Sequence, residues 1–309
     1  MVRSAKRNAP YILVQQLRIT NYQLRIILTD SISNAPPGKI EPRPSNRTAT
    51  WYRPTFSHEH GVYVVLFVSL LTGAAAAQQW TLTTTLACLS AFAGFQAEHP
   101  LVLQIKQRRS LKPRFLVWGA IYSGIALGIA AYLSLQAPVL IWLYLGAIMA
   151  FAIDAISVFY RQQKSVVNEL ITFAAVCLAT PFVYAATVGT LIPTIFGLWA
   201  LNWLFFSSAI FTVKLRKPKT AALLPGVVYH AIASFIVAAL CYFNFLSPFT
   251  AAAFIVVLLK FAFILARRNW YQTAPIQKVA ILETFCALLF LFITAISLLP
   301  AHLSTSNFH

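Results

Sequence analysis

The feature that most constrains this chain is a series of apolar runs, each near the length a helix needs to cross a bilayer. A hydrocarbon core about 30 Å thick takes roughly 20 helical residues. Bounding the runs by polar residues, Pro or Gly gives nine, at 62–77, 81–95, 115–135, 139–159, 166–188, 191–213, 223–243, 248–265 and 279–299. Inside hydrocarbon every backbone N–H and C=O must be bonded within its own segment or a closed barrel. The expected fold is therefore all-α, a polytopic membrane bundle of nine transmembrane helices. Composition agrees, since 59% of the residues are hydrophobic and 10% charged, against about a quarter charged in soluble domains. The excess of 24 Lys and Arg over 7 Asp and Glu suggests nucleic acid at first sight. A basic DNA-binding domain is not built mainly from spanning apolar stretches, so membrane lipids are the expected partners and nucleic acid is not.

The positions of the basic residues test the helix count independently. Nine precede the first run, Lys106, Arg108, Arg109, Lys112 and Arg114 separate the second and third, and Arg161 and Lys164 the fourth and fifth. Lys214, Arg216, Lys217 and Lys219 follow the sixth, and Lys260, Arg267, Arg268 and Lys278 lie at or near the eighth-to-ninth connection. The other connections carry none. Alternation of this kind is the positive-inside bias, and it predicts an inner amino terminus, an outer carboxyl terminus and a multi-pass protein of a bacterial-type cell membrane.

Three regions are expected: a basic, Pro-rich tail at 1–57, the transmembrane domain at 58–300 and a short external tail at 301–309. The stretch 34–48, NAPPGKIEPRPSNRT, buries too little apolar surface to order itself. Residues 11–28 carry only Arg18 and Arg25 as charges and could lie in the membrane interface; they lack the continuous apolar centre and small-residue cleavage site of a secretory signal. Cys88, Cys177, Cys241 and Cys286 fall inside predicted spans at unrelated spacings and read as small core residues. Neither a Walker A loop nor a GxGxxG turn occurs.

Five carboxylates sit at one depth. Glu59 opens the first run, Glu98 closes the second, and Asp154, Glu169 and Glu283 lie roughly 5–8 Å inside theirs at about 1.5 Å per residue. An intramembrane carboxylate is costly and normally faces a partner or a wet cavity. Their common depth predicts a polar cavity open to the cytosol, with Arg161, Lys260, Arg267 and Lys278 as cationic partners, His60 and His99 at the rim and His230 deeper. Either Glu59 or His60 is expected within about 8 Å of Glu98, Glu169 or Glu283, close enough for their titrations to interact. The plainer alternative makes these acids first-turn helix charges or structural ion pairs, with Ser57 capping the first helix. A metal at His58 and His60 is disfavoured, because residues two apart on a helix point about 200° away from each other. Asn168 and Asn202 are expected to hydrogen-bond across the bundle, Gly61, Gly94, Gly119 and Gly124 to let backbones approach, and Trp80, Trp118, Trp142, Trp203 and Trp270 to mark interfaces.

The segments EHGVY (59–63), NELITFAAVCLATP (168–181), LNWLFFSSAIFTVKLR (201–216) and QKVAILE (277–283) together resemble the YwiC-like family of bacterial integral membrane proteins over about 54–299. Tyr63 stands where the resemblance leads one to expect an aromatic such as Trp. The resemblance implies a membrane architecture and no particular activity. Nine helices with enlarged cytosolic loops after the second and sixth are also similar to the UbiA-type prenyltransferases. The loops AEHPLVLQIKQRR and VKLRKPK lack that family's Asp-rich motifs, and Mg²⁺ wants several oxygen ligands; any phosphate would be held by Lys and Arg directly.

Two functional readings follow, and a non-catalytic assembly protein is a third. In the first, a lipid or isoprenoid-type substrate, amphiphilic or phosphorylated, enters the cavity. Glu59, His60, Glu169 and Glu283 are its candidate catalytic residues, and Glu98, His99, Arg108, Arg109, Asp154, Arg216, Lys217 and His230 its candidate binding residues. No metal or other cofactor is assigned. In the second, a small-solute or proton-coupled transporter relays protons through Asp154, Glu169 and Glu283. The nearly uncharged outer half and the lack of an inverted repeat count against it.

Overall fold

The computed structural model describes residues 54–57, 60–107, 110–216 and 222–299. Among them every regular element is helical. The helices are α1 (His60–Ala77), α2 (Leu82–Lys106), α3 (Pro113–Gln136), α4 (Leu140–Phe159), α5 (Val166–Cys177) and α6 (Ala179–Val188). Then come α7 (Pro193–Lys214), α8 (Leu224–Tyr242), α9 (Pro248–Ala252), α10 (Ile255–Ala266), α11 (Arg268–Thr273) and α12 (Ile276–Ser297). Eight rods are long and apolar enough to cross a membrane: α2, α3, α4, α5 with α6, α7, α8, α9 with α10, and α12. The apolar stretch of α1, Gly61–Ala77, falls below that length. The 18 residues of α1 rise about 27 Å, slightly less than the hydrocarbon core.

Local chemistry sets the boundaries. Thr81 caps α2 with a reciprocal pair of bonds to Thr84, and Ser165 and Ser247 accept from the first-turn amides of α5 and α9, each satisfying orphan donors. Prolines at the first turns of α3, α7, α8 and α9 use positions that need no N–H. Gly189 ends α6 at φ 85°, a left-handed cap that glycine adopts without strain. The rod of α5 and α6 breaks at Leu178, because Pro181 has no N–H for the carbonyl four residues back. The sequence expectation misplaced the end of the second helix. It runs through Pro100 to Lys106, so Glu98 and His99 lie inside it.

Contacts between helix ends define the two ends of the bundle. At one, Gln78 donates to the Leu298 carbonyl (2.8 Å), Thr84 bonds Thr187 (2.8 Å) and Thr250 bonds Ser297 (2.9 Å). At the other, Lys214 pairs with Glu169 (3.1 Å), Gln272 donates to the Leu215 carbonyl (3.0 Å) and Arg216 to that of Ala274. Among the described residues, Lys106, Lys112, Arg114, Arg161, Lys164, Lys214, Arg216, Arg267, Arg268 and Lys278 flank helix termini at this second end, and the first carries no Lys, Arg, Asp, Glu or His. We call the second the basic end.

The core centres on α7, which packs on α5 and α8, while α1 packs on α6 and α12. Polar groups tie these helices where their backbone bonds leave a lone pair free. Buried Asn202 donates to Thr180 Oγ1 (2.9 Å), whose hydroxyl donates to the Ser69 carbonyl (3.0 Å), joining α7, α6 and α1. The Trp199 and Trp203 indoles donate to the Ala174 and Leu170 carbonyls of α5, so Trp203 is an interhelical tie and not an interface aromatic. The glycines that permit close approach are also not the expected ones. Gly61 and Gly124 face open space, Gly94 and Gly119 meet side chains, and it is Gly73 and Gly197 that lie against backbone, at the Thr180 and Phe245 carbonyls.

Gly73→Ala and Gly197→Ala should each lower stability by about 1–3 kcal/mol, the usual range for overpacking. Gly124→Ala should not. Thermal unfolding of the purified protein checks this contrast.

Candidate functional site

A lysine stands in the middle of α10, within the apolar run VVLLKFAFIL, and it is 4% exposed. An ammonium taken out of water costs several kcal/mol unless paired and hydrogen-bonded, so the chain must build partners around it. Lys260 Nζ lies 2.8 Å from Glu283 Oε2 on α12 and 3.1 Å from Ser208 Oγ on α7. Ser208 gives its own proton to the Phe205 carbonyl (2.7 Å), which leaves its lone pairs for the lysine. The Phe205 ring lies 5.4 Å from Nζ, adding the attraction of a cation for an aromatic face.

His230, on α8, completes the group. It is buried, and its ring stacks on Phe261 at 3.8 Å and 10°. Its Nδ1 lies 2.7 Å from the Gly226 carbonyl; a carbonyl only accepts, so Nδ1 carries the proton and Nε2 the lone pair. Two buried acceptors in this group have no protein hydrogen-bond partner, His230 Nε2 and Glu283 Oε1. Ser208, His230, Lys260 and Glu283 each lie about six or seven residues from the basic end of their helix, roughly 9–10 Å in.

Between this group and the basic end lies an apolar plug of Leu215, Phe261, Ile264, Tyr271, Ala274 and Val279. Tyr271, on α11 beyond the end of α10, is fully buried and lies 5.8 Å under the Arg216 guanidinium. Burial, and then the Glu283 carboxylate, push its phenol up to about 12. It stays neutral at ordinary pH, and the plug gains no charge from it.

The other predicted residues are placed differently. Asp154 accepts from the Asn168 amide (2.8 Å), and Glu169 pairs with Lys214. Glu98 and His99 are half-buried along α2. Arg216 closes the α7–α11 junction through the Ala274 carbonyl. Glu59, Arg108, Arg109, Lys217 and His58 lie outside the described residues, and so does the side chain of His60, the first residue of α1. The expected proximity of Glu59 or His60 to the other acids therefore also lies outside them. Of the named residues, the structure gathers Glu283 and His230 around Lys260, and it gives Asp154 and Glu169 partners of their own. Among the described residues no three His, Cys, Asp or Glu side chains are placed to hold a metal. Ser208 and Phe205 were not anticipated, because a serine or phenylalanine in an apolar span carries no signal without its neighbours.

A second feature lies at the surface of the basic end. Where the α2–α3 and α4–α5 turns meet, a groove of about 620 Å³ is lined by Lys106, Gln107, Ser110, Val158, Arg161, Gln163 and Lys164. It has three cations and no carboxylate. Arg161 reaches its place through a left-handed backbone at φ 61°, which turns the chain sharply between α4 and α5.

Spanning helices in series, a bundle with the loop charge of its described residues at one end and an ion pair inside define a multi-pass α-helical membrane protein. Residues 56–184 match the profile of the family described as YwiC-like protein. The matched stretch runs from before α1 into α6 and contains the groove; the Lys260 group lies beyond it. EHGVY and NELITFAAVCLATP fall within it, and LNWLFFSSAIFTVKLR and QKVAILE outside. No curated protein matches the chain.

Proposed function

We propose that this YwiC-like membrane protein binds an amphiphile, a lipid or an isoprenoid-type molecule, by an anionic head group held at the basic end. The observation that supports the reading is the groove of Lys106, Arg161 and Lys164, a cluster of cations without a carboxylate at the level where lipid head groups lie. Phosphate and carboxylate oxygens accept charge-assisted bonds from Lys and Arg, and these are stronger than neutral ones. Gln107, Gln163 and Ser110 add neutral donors. Beside the groove in sequence stand Arg108 and Arg109, and on the α7 side Arg216 and Lys217, as further cations. Glu59, His60, Glu98 and His99 remain the candidate acid and base groups for any chemistry on the head group, with Glu283 and His230 deeper.

In this reading the basic end faces the cytosol of a bacterial-type cell membrane, which the positive-inside bias supports, and nine crossings include the shorter α1. A transporter reading is weaker, because a polar path would have to continue through an opposite end whose described residues carry no Lys, Arg, Asp, Glu or His.

Replacing Arg161 and Lys164 together with Gln should reduce co-purified anionic lipid several-fold in native mass spectrometry, at unchanged yield. Unchanged retention would leave these residues as topology signals. A reporter fused after His309 should read as external and one inserted at Ser110 as cytosolic; a cytosolic signal from the carboxyl terminus would break the nine-crossing topology.

A further inference from the structure

We propose that Glu283 and His230 form a proton-exchange site inside the bundle, filled from water at the basic end and expressed as the pairing or release of Lys260. The site is separate from the head-group groove and does not depend on it. Three observations carry it. Glu283 commits one oxygen to Lys260 at 2.8 Å and has the other buried without a protein partner. His230, 4% exposed, is fixed by its Nδ1–H bond to Gly226, so that Nε2 is a buried lone pair with no partner. The lysine side chain is 1% exposed whereas that of Glu283 is 23% exposed, which makes Glu283 the more accessible member of the pair even though its Oε1 is itself buried.

The step balances simply. A hydronium ion gives its proton to Glu283 Oε1 and leaves as water. The carboxylate becomes a neutral acid, and Lys260 loses its counter-charge while keeping the Ser208 hydroxyl and the Phe205 face. His230 Nε2 is a second place for the same proton. The titratable and charged groups around the site are Lys260 on α10, Glu283 and Cys286 on α12, His230 on α8, Tyr271 on α11 and Arg216 just after α7. The Tyr271 plug lies between Lys260 and the basic end, so the proton passes it along the partly exposed flank of Glu283, and no Lys, Arg, Asp, Glu or His continues the route toward the other end among the described residues. The proton thus enters and leaves by one side. Breaking a buried ion pair by neutralising one partner leaves an uncompensated charge, so protonation loosens α10 from α12.

The test uses the full chain in lipid nanodiscs. Infrared difference spectra across an acid titration should show, beside the bands of the other carboxyls, a protonated-carboxyl C=O component that is lost in Glu283→Gln and kept in Glu169→Gln and Asp154→Asn. In parallel, amide hydrogen exchange in α10 and α12 should rise several-fold in acid relative to α3 after correction for the intrinsic pH dependence. That rise should vanish in both Glu283→Gln and Lys260→Met, the second of which has no ammonium to release. An acid-difference spectrum from which Glu283→Gln removes no component, or wild-type exchange in α10 and α12 that does not respond to acid, overturns the proposal; the latter needs no variant to fold. Head-group binding is read separately, by lipid retention in the Arg161 and Lys164 variant, so either idea can fail alone.

Discussion

An ammonium held about 10 Å inside an apolar bundle must be matched, and much of the arrangement near the basic end follows from matching Lys260. Its carboxylate comes from α12, its hydroxyl from α7 and its aromatic face from Phe205, also on α7. Three helices are thereby fixed at one depth, and His230 brings α8 alongside through Phe261. The other buried polar tie, Asn202 to Thr180 to Ser69, holds α7 to α6 and α1. The helix shared by both ties is α7, so neither half of the bundle can shift without straining a polar bond that hydrocarbon cannot replace.

The basic residues divide into two populations with different physics. Those at the loops cluster at one end of the bundle, the pattern by which basic loops bias orientation in a membrane. Lys260 is the exception, and its solvation is supplied entirely by protein. The stretch matched by the YwiC-like profile ends in α6, so the groove sits within it while the lysine pair belongs to the remainder. The proposed head-group binding and the proposed interior protonation accordingly rest on different parts of the chain.

The fold was legible in the sequence because hydrocarbon forces apolar runs of near-fixed length and because loop charge alternates. The shortness of α1 and the continuation of α2 to Lys106 were harder to read, since Glu98, His99 and Pro100 look like a loop but a helix tolerates one proline where neighbours pack. At the site, the depth argument named Glu283, His230 and Lys260, and the structure gathers these three side chains near one level. Asp154 and Glu169 have partners of their own in Asn168 and Lys214, which depth could not foretell, because it says nothing about which face of a helix a side chain occupies. Gly73 and Gly197 were illegible for the same reason, because a close approach depends on which backbone lies opposite.

The central claim is that Lys260 and Glu283 are tolerated only as a pair, and a double-mutant cycle measures this most directly. Lys260→Met and Glu283→Leu should each cost about 3–5 kcal/mol of unfolding free energy, the range for stranding one member of a buried pair. The double variant should recover most of that loss, with a coupling of several kcal/mol. Additive losses, with no recovery in the double variant, would show that the two side chains do not depend on each other and would contradict the account.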